Sequence, residues 1–420
     1  MEKLNRNIPI TKTKYLKIFT NFLIGIWFVI PIYLLKPFKK IYLAPLQTSR
    51  IGHFILDTEI LLARIHLDQV NSRKKLLVIW VPESYICNEY VYKIWKQKIN
   101  IAPFNVFTSA ILLTAVYLEK LTKNIITYRF TGWDGYLSYT HLLEFTPTVF
   151  NISVEDEKEC IKTLRLNGID TDKQWVCILG RDNKYLSHAL PNLDWDFNSY
   201  RNSDIDTFKI SAEFLAEKNI MTFRMGSNVE KPFLSGKSNL IIDYANSTWS
   251  NEKLDIFLAI KCLFYISVGT GLDTVSVATR RPLLWVNQSQ PLHVYRTKRD
   301  FIFIMKRLFL REKNIFLSPR AFYNLGIEDG FTVDNPLHFR TQDFTRLKVE
   351  VIDNTNLEIM DATVEMYELL TKKDKNKLAL SRNQIRFWEA FPKDQRLDIL
   401  GETASRVGEN FLKQNPWLIN

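Results

Sequence analysis

The stretch FYISVGTGLDTVSVATRRPLLWVN, residues 264–287, sets how the rest of the chain is read. Tyr265 to Val268 is a short apolar run rich in strand formers, and it breaks at Gly269-Thr270-Gly271. Leu272, Val275, Val277 and Ala278 then offer an apolar helical face, with Asp273 in the first turn. Pro282 ends that helix, and Leu283 to Val286 reads as a second buried strand. A βαβ unit with small and hydroxyl residues between strand and helix suits a phosphate, because backbone N–H groups and the helix dipole favour an anion there. Ser267, Gly269, Thr270, Gly271 and Asp273 are therefore candidate phosphate-binding residues. Asp273 reads equally well as a residue that caps the helix start.

Composition agrees with a folded, intracellular α/β protein. The chain has 420 residues, 46% hydrophobic and 24% charged, which allows two domains and a helical extension and argues against a disordered chain. The formal charge of +11 favours anionic partners, but the excess is spread along the chain, without the dense basic blocks of a nucleic-acid tail. Cys87, Cys160, Cys177 and Cys262 show no metal-ligand spacing and read as reduced thiols.

Upstream, residues 12–40 hold an apolar run from Ile18 to Leu35, flanked by Lys12, Lys14 and Lys17 and by Lys36, Lys39 and Lys40. The run is interrupted by Asn21, Gly25 and Pro31 and is borderline for a membrane span, which needs about 20 residues. No small-residue cleavage site follows it. An interfacial or re-entrant anchor on an anionic membrane surface is expected, a buried helix packed on the globular part being the alternative.

Residues 41–66 form a second strand–loop–helix unit that places Arg50, Gly52, His53, Asp57 and Glu59 near a helix N-terminus. His53, Asp57 and Glu59 are candidate general bases, and Arg50 and Gly52 candidate substrate contacts. Carboxylates this early in a helix also favour its dipole with no catalytic role. Residues 75–81 read as a strand buried on both faces, 85–97 and 108–121 as helices, and 125–130 as a strand. The aromatic segment 132–139 reads as an irregular loop, either an acceptor wall or surface packing.

From residue 170 the α/β alternation resumes. The string WVCILGRDNKYL, 175–186, reads as a strand ending in Gly180-Arg181-Asp182, and the strand IMTFRMG, 220–226, ends in Arg224-Met225-Gly226. Arginine at the carboxyl end of a parallel strand points into the crevice where such sheets bind ligands, and its fork suits a diphosphate. An Arg181–Asp182 ion pair is the plainer alternative. Between these strands, 187–203 reads as a loop that offers His188, Tyr200 and Arg201 for ligand contact. Asp194-Trp195-Asp196 and Asp204-Ile205-Asp206 match a D-x-D metal pattern, but the second suits a helix start, and no metal site is expected. After residue 287 the chain looks less regular, with helices near 360–370, 381–390 and 402–413.

In order, SRIGHFILDTE (49–59), GRDNKYL (180–186), TFRMG (222–226), LIIDYAN (240–246) and the opening stretch resemble a bacterial family of surface-polysaccharide glycosyltransferases. The opening stretch is also similar to the donor half of heptosyltransferase-like and fucosyltransferase-like enzymes. The resemblance covers roughly residues 40–300 and implies a GT-B-like architecture of two facing Rossmann-like domains. Residues 1–40 would be a membrane-associated segment, 41–165 the acceptor domain, 170–340 the donor-binding domain and 341–420 a helical extension. It implies a nucleotide-sugar donor held by Arg181, Arg224, Gly226 and the 267–273 loop, with Tyr200 and Arg201 as further contacts. A glycan or lipid-linked acceptor would lie at the Gly52-His53 loop. The donor is a substrate, and no cofactor is expected. The implied place is the cytoplasmic face of the inner membrane. Gly180 departs from the family pattern, where a bulkier polar residue such as His is expected. A non-catalytic scaffold of polysaccharide assembly that keeps the nucleotide-binding fold is the alternative.

Overall fold

The computed structural model describes residues 12–35, 40–72, 76–83, 85–103, 108–122, 125–130, 135–184, 196–233, 238–290, 292, 300–328, 339–371, 379–392 and 405–419. The chain divides into two units, residues 1–131 and 132–420. Each is built on a parallel sheet flanked by helices, the Rossmann-like plan that alternating strands and helices dictate.

In the first unit, β1 (Ile41–Leu46), β2 (Leu77–Pro82) and β3 (Asn100–Ile101) pair in that order, all parallel. The expected strand at 125–130 contracts to one parallel bridge, Thr127 to Leu43. It forms through the Leu43 N–H to the Ile126 carbonyl at 2.8 Å and the Tyr128 N–H to the Leu43 carbonyl at 2.6 Å. Chain progression therefore reverses at β1, with β2 on one side and residue 127 on the other. Helices α1 (Lys12–Leu35), α2 (Thr58–Ser72), α3 (Glu89–Lys98) and α4 (Thr108–Thr122) complete the unit. Val29 and Ile32 of α1 join Ile41, Leu43, Val81, Ile111, Ala115 and Ile126 in one core. A Cβ on Gly25 would lie 2.2 Å from Thr114 Oγ1, so only glycine lets α1 approach α4 this closely. Among the described residues no helix is long and apolar enough to cross a membrane.

The second unit carries β4 (Trp175–Leu179), β5 (Met221–Arg224), β6 (Ile241–Ile242), β7 (Tyr265–Ser267), β8 (Leu283–Gln288) and β9 (Phe301–Met305). Strands β10 (Arg307–Leu310), β11 (Ile315–Leu317) and β12 (Val349–Ile352) form a small antiparallel sheet, and β13 is Arg406–Val407. The main sheet has seven parallel strands in the order β13-β9-β8-β7-β4-β5-β6. Every residue of β4 and β8 is buried, as expected for strands covered on both faces. The order also defines a switch point: β5 and β6 extend to one side of β4, and β7 to β9 to the other.

The helices of this unit are α5 (Val154–Leu166), α6 (Lys209–Glu217), α7 (Glu252–Lys261), α8 (Thr274–Ala278), α9 (Pro319–Glu328), α10 (Thr341–Arg346), α11 (Asn356–Thr371), α12 (Arg382–Ala390) and α13 (Glu409–Gln414). Helix α5, expected at the end of the first domain, is tied to α7 by Lys253–Glu159 at 2.6 Å and Lys261–Glu157 at 2.7 Å. The expected helix at 402–413 is instead an edge strand followed by α13, so the C-terminal segment closes the sheet as well as adding helices. Residues 135–144 form a 3-10 helix where an irregular loop is expected, and 131–134 lie outside the described residues.

The opening stretch is locked at its end by a reciprocal pair. The Asn287 N–H donates to Asn354 Oδ1 at 2.7 Å, and the Asn354 N–H donates to Asn287 Oδ1 at 2.6 Å. Asn354 Nδ2 also donates to the Met305 carbonyl at 2.9 Å, and both asparagines are buried. Asn287 sits at φ +50°, a left-handed conformation that asparagine tolerates well. Asn354→Ala removes side-chain bonds to buried partners and strands their polar groups, so the unfolding free energy should fall by about 2–4 kcal/mol. Urea denaturation followed by circular dichroism measures this, and an unchanged midpoint contradicts it.

Candidate functional site

In the first unit the site follows the central strand. The chain leaves β1 at Leu46 and turns through Gln47 to Arg50, and residues 53–57 form a single π-helical turn before α2. Sequence reading places His53 in a loop, with no local signal for the widened turn. Such π turns recur at functional sites. Here the turn brings His53 Nδ1 within 3.0 Å of Asp57 Oδ2. Gln47 Nε2 donates to the same carboxylate oxygen at 3.1 Å, and Asp57 Oδ1 is buried without a hydrogen-bond partner. At the end of β2, Glu83 accepts the Ser49 N–H at 2.8 Å and holds the loop.

Burial acts to lower the His53 pKa, but the hydrogen bond and charge of Asp57, helped by Glu83, outweigh it and the opposing charge of Arg50. The net result is an imidazole held above its ordinary 6.5. Burial raises the Asp57 pKa, and its bond to His53 works against that rise. The pair has the arrangement of an imidazole and an orienting carboxylate, with Nδ1 engaged by Asp57. Glu59 is fully buried on α2, Gly52 has an ordinary right-handed conformation at φ −61°, and Arg50 is exposed. Of the three candidate bases, the structure couples His53 and Asp57 and leaves Glu59 in the interior.

In the second unit the site lies at the carboxyl ends of β4 and β7, at the switch point. The 267–273 loop differs from the expected anion cradle. Helix α8 has only five residues, so its dipole is small, and the Asp273 carboxylate turns back into its own loop. Asp273 Oδ2 accepts from Ser267 Oγ at 2.7 Å and from the Thr270 N–H at 2.9 Å and makes no cap to α8. Burial raises the Asp273 pKa to about 6, against these bonds and the field of Arg201. Gly269 is required on two grounds: its φ is +79°, and a Cβ there would lie 2.4 Å from the Trp285 ring. Asp273 and Gly269 thus shape the loop. Thr270 Oγ1 remains buried without a hydrogen-bond partner.

The positive groups come from three segments. Arg181 follows β4, and its Nε is buried without a hydrogen-bond partner. Burial and neighbouring Arg201 push its pKa down to about 9, so it stays charged at neutral pH. The alternative ion pair is not made, because Asp182 accepts instead from the Lys184 and Glu230 N–H groups at 3.0 Å each. Arg201 ends a 3-10 turn, Asp196–Arg201, and its Nη2 donates to the Gly269 carbonyl at 2.6 Å. That turn is anchored by Tyr200, whose hydroxyl donates to the Phe339 carbonyl at 2.7 Å and whose ring packs on Phe344 at 5.1 Å. Tyr200 is therefore a buried support for Arg201, not an open contact.

Lys306 was not among the sequence candidates. It sits between β9 and β10, nearly buried, donating to the Asn202 carbonyl at 2.6 Å and pairing with Asp353 at 2.7 Å. Burial lowers its pKa and Arg181 lowers it further, which places the two cations in each other's field. A lysine interrupting the apolar run FIFIMKRLFL (301–310) was the available signal.

Arg224 belongs elsewhere. It is buried at the end of β5, with Nη1 on Asp243 Oδ1 at 3.3 Å and Nη2 on the Lys231 carbonyl at 3.3 Å. Burial lowers its pKa, and Asp243 opposes that shift. Arg224 is thus held by Asp243, and it is Arg201 that lies in the field of Arg181. Gly226, at φ +136°, makes the turn after β5. Asp204 and Asp206 are taken up by Lys231, at 2.5 and 2.8 Å, and Asp206 also by Lys209 at 2.9 Å. His188, Asp194 and Trp195 lie outside the described residues.

No family model and no curated protein matches the chain. Among solved structures, a glycosyl transferase family 9 protein from Veillonella parvula is 11% identical, with 78% of this chain and 97% of that chain covered at a TM-score of 0.44. The E. coli ADP-heptose lps heptosyltransferase II is 10% identical over 63% of this chain and 90% of its own, with a TM-score of 0.38. A second E. coli heptosyltransferase, solved with ADP, is 12% identical over 70% and 99%, with a TM-score of 0.31. Likenesses this remote decide nothing about activity, which rests on the residues described above.

The buried Asp273 carboxylate gives the loop a pH signature. Its folded pKa, about 6, lies above the ordinary 3.8, so the folded chain binds this proton more tightly than the unfolded chain. Its contribution to stability is greatest below pH 4, falls as pH rises toward 6, and is flat above that. Relative to Asp273→Asn, the native chain should lose on the order of 2–3 kcal/mol between pH 4 and pH 7. Urea melts of both proteins across that range test this, and a difference independent of pH contradicts it.

Proposed function

We propose that this chain is a glycosyltransferase that moves a sugar from a nucleotide-sugar donor to a glycan or lipid-linked acceptor. The observation that carries the reading is Arg181, charged and incompletely bonded, beside Arg201 and Lys306 at the switch point of a seven-stranded parallel sheet. Asp353 answers Lys306, Asp273 lies in the field of Arg201 and Asp182 in that of Arg181, but the buried Arg181 Nε has no acceptor. A diphosphate supplies oxygen acceptors suited to guanidinium forks.

The chemistry follows from the groups present. His53 Nε2 takes the proton from an acceptor hydroxyl while Asp57 holds the ring through Nδ1 and stabilises the imidazolium. The hydroxyl oxygen bonds to the anomeric carbon, the bond from that carbon to the donor diphosphate breaks, and its electron pair leaves on the diphosphate. Fixed arginine and lysine charges stabilise that leaving group, so the proposed transfer needs no metal ion. A role in surface-polysaccharide synthesis rests on the order of the five motifs along the chain.

A thermal-shift panel of UDP, GDP, CMP and ADP identifies the nucleotide, and turnover of its sugar donors then tests the reaction. His53→Ala should cut turnover about 10²–10⁴-fold with nucleotide binding retained. Because the His53 pKa is raised, kcat/KM should climb with pH through a limb above 6.5, and Asp57→Asn should move that limb to lower pH. Nucleotide binding without turnover of any donor would instead favour a non-catalytic scaffold.

A further inference from the structure

The outer surface of the first unit carries an apolar face that neither the donor site nor the His53–Asp57 pair uses. On α1, Leu23, Trp27, Ile30 and Leu34 recur at helical spacing and are all exposed, Trp27 by 81% and Leu34 by 68%. On α4, Leu113, Tyr117 and Leu121 form a second exposed stripe, with Leu113 at 66% and Leu121 at 62%. The two helices are packed together: Gly25 abuts Thr114, and the Phe22 ring meets Tyr117 edge-on at 5.3 Å. The opposite side of α1 is committed to the protein through Val29 and Ile32, so this helix cannot leave to cross a bilayer without opening the core.

We infer that the α1–α4 face is a monotopic docking surface for an anionic lipid bilayer. Three observations select lipid as the occupant. First, exposed apolar residues of this size and number, with Trp27 and Tyr117 among them, suit the boundary between headgroups and acyl chains. Second, the charge in the sequence around the face is mostly positive. From residue 3 to residue 56 the sequence has no Asp or Glu, while Lys3, Arg6, Lys12, Lys14, Lys17, Lys36, Lys39, Lys40 and Arg50 all fall there, and Lys120 stands in the last turn of α4. The acidic residue of α4, Glu119, is turned to its own unit, where it accepts the Ile126 N–H at 2.8 Å. Clustered lysines beside an apolar face add attraction to anionic headgroups. Third, α1 is not long and apolar enough to span, so a bilayer that meets its exposed stripe does so with the helix in the plane of the membrane. The inference stands independently of the sugar-transfer reading.

Co-sedimentation of the full chain with phosphatidylglycerol–phosphatidylcholine vesicles, compared with phosphatidylcholine alone, tests it. The native chain should pellet with the anionic vesicles and partition more weakly to the neutral ones. Raised salt should weaken the binding without abolishing it. The double variants Trp27→Glu/Leu34→Glu and Leu113→Glu/Leu121→Glu should each lower the partition coefficient at least about tenfold. Because all four side chains point outward, the thermal melt should be unchanged, and this controls for misfolding. A native chain that stays in the supernatant overturns the proposal, as do variants that bind as well as the native chain. Lipid-free self-association that the glutamates abolish, with no lipid binding, also overturns it by assigning the face to a second copy of the chain.

Discussion

Three cations gather at the switch point of the second unit, with Arg181 in the field of both Arg201 and Lys306. Like charges held together in a partly desolvated place destabilise a fold unless each is hydrogen-bonded or paired. The structure answers two of the three. Arg201 is bonded to the Gly269 carbonyl and faces the field of Asp273, while Lys306 is paired with Asp353. Arg181 is left with a buried Nε that has no acceptor. The supporting parts hold this cluster in place. Tyr200 fixes the 3-10 turn, Asp273 and Gly269 fix the loop, and the Asn287–Asn354 pair closes the end of β8.

The first unit repeats the plan with different chemistry. Chain progression reverses at its central strand β1, as it does at β4, and the residues that follow that strand carry the polar side chains. Where the second unit gathers positive charge, the first builds a histidine–carboxylate pair on a π turn. The physics differs accordingly. One site is electrostatic and needs fixed cations. The other is a buried carboxylate bonded to one imidazole nitrogen.

Much of this was legible in the sequence, and the reasons differ by residue. The α/β class, most strands and the capped helices follow from periodicity, Arg181 follows from its position at a strand end, and Arg201 was offered by the loop between two strands. The opening stretch is a strand, a glycine turn, a short helix and a strand, as its residues suggest. Other points depend on long-range pairing that no local pattern carries. Asp273 stands at a helix start in sequence, yet its carboxylate folds back 2.7 Å from Ser267. Arg224 resembles Arg181 in context, but Asp243, 19 positions on, claims it. Lys306 becomes part of the cluster only because β9 lies beside β8 and Asn202 reaches over it. Helix α5 goes with the second unit because Glu157 and Glu159 find lysines on α7, about 100 residues away.

Calorimetric titration of inorganic pyrophosphate and of nucleoside diphosphates, with the parent nucleosides as controls, tests the central claim most directly. Pyrophosphate and the diphosphates should bind the native chain while the nucleosides bind far more weakly. Arg181→Met, which keeps much of the side-chain volume, should weaken pyrophosphate binding at least about tenfold, the scale of one charge-assisted contact. Equal pyrophosphate affinity in the native chain and the variant would show that Arg181 is not the anion site and would contradict the account.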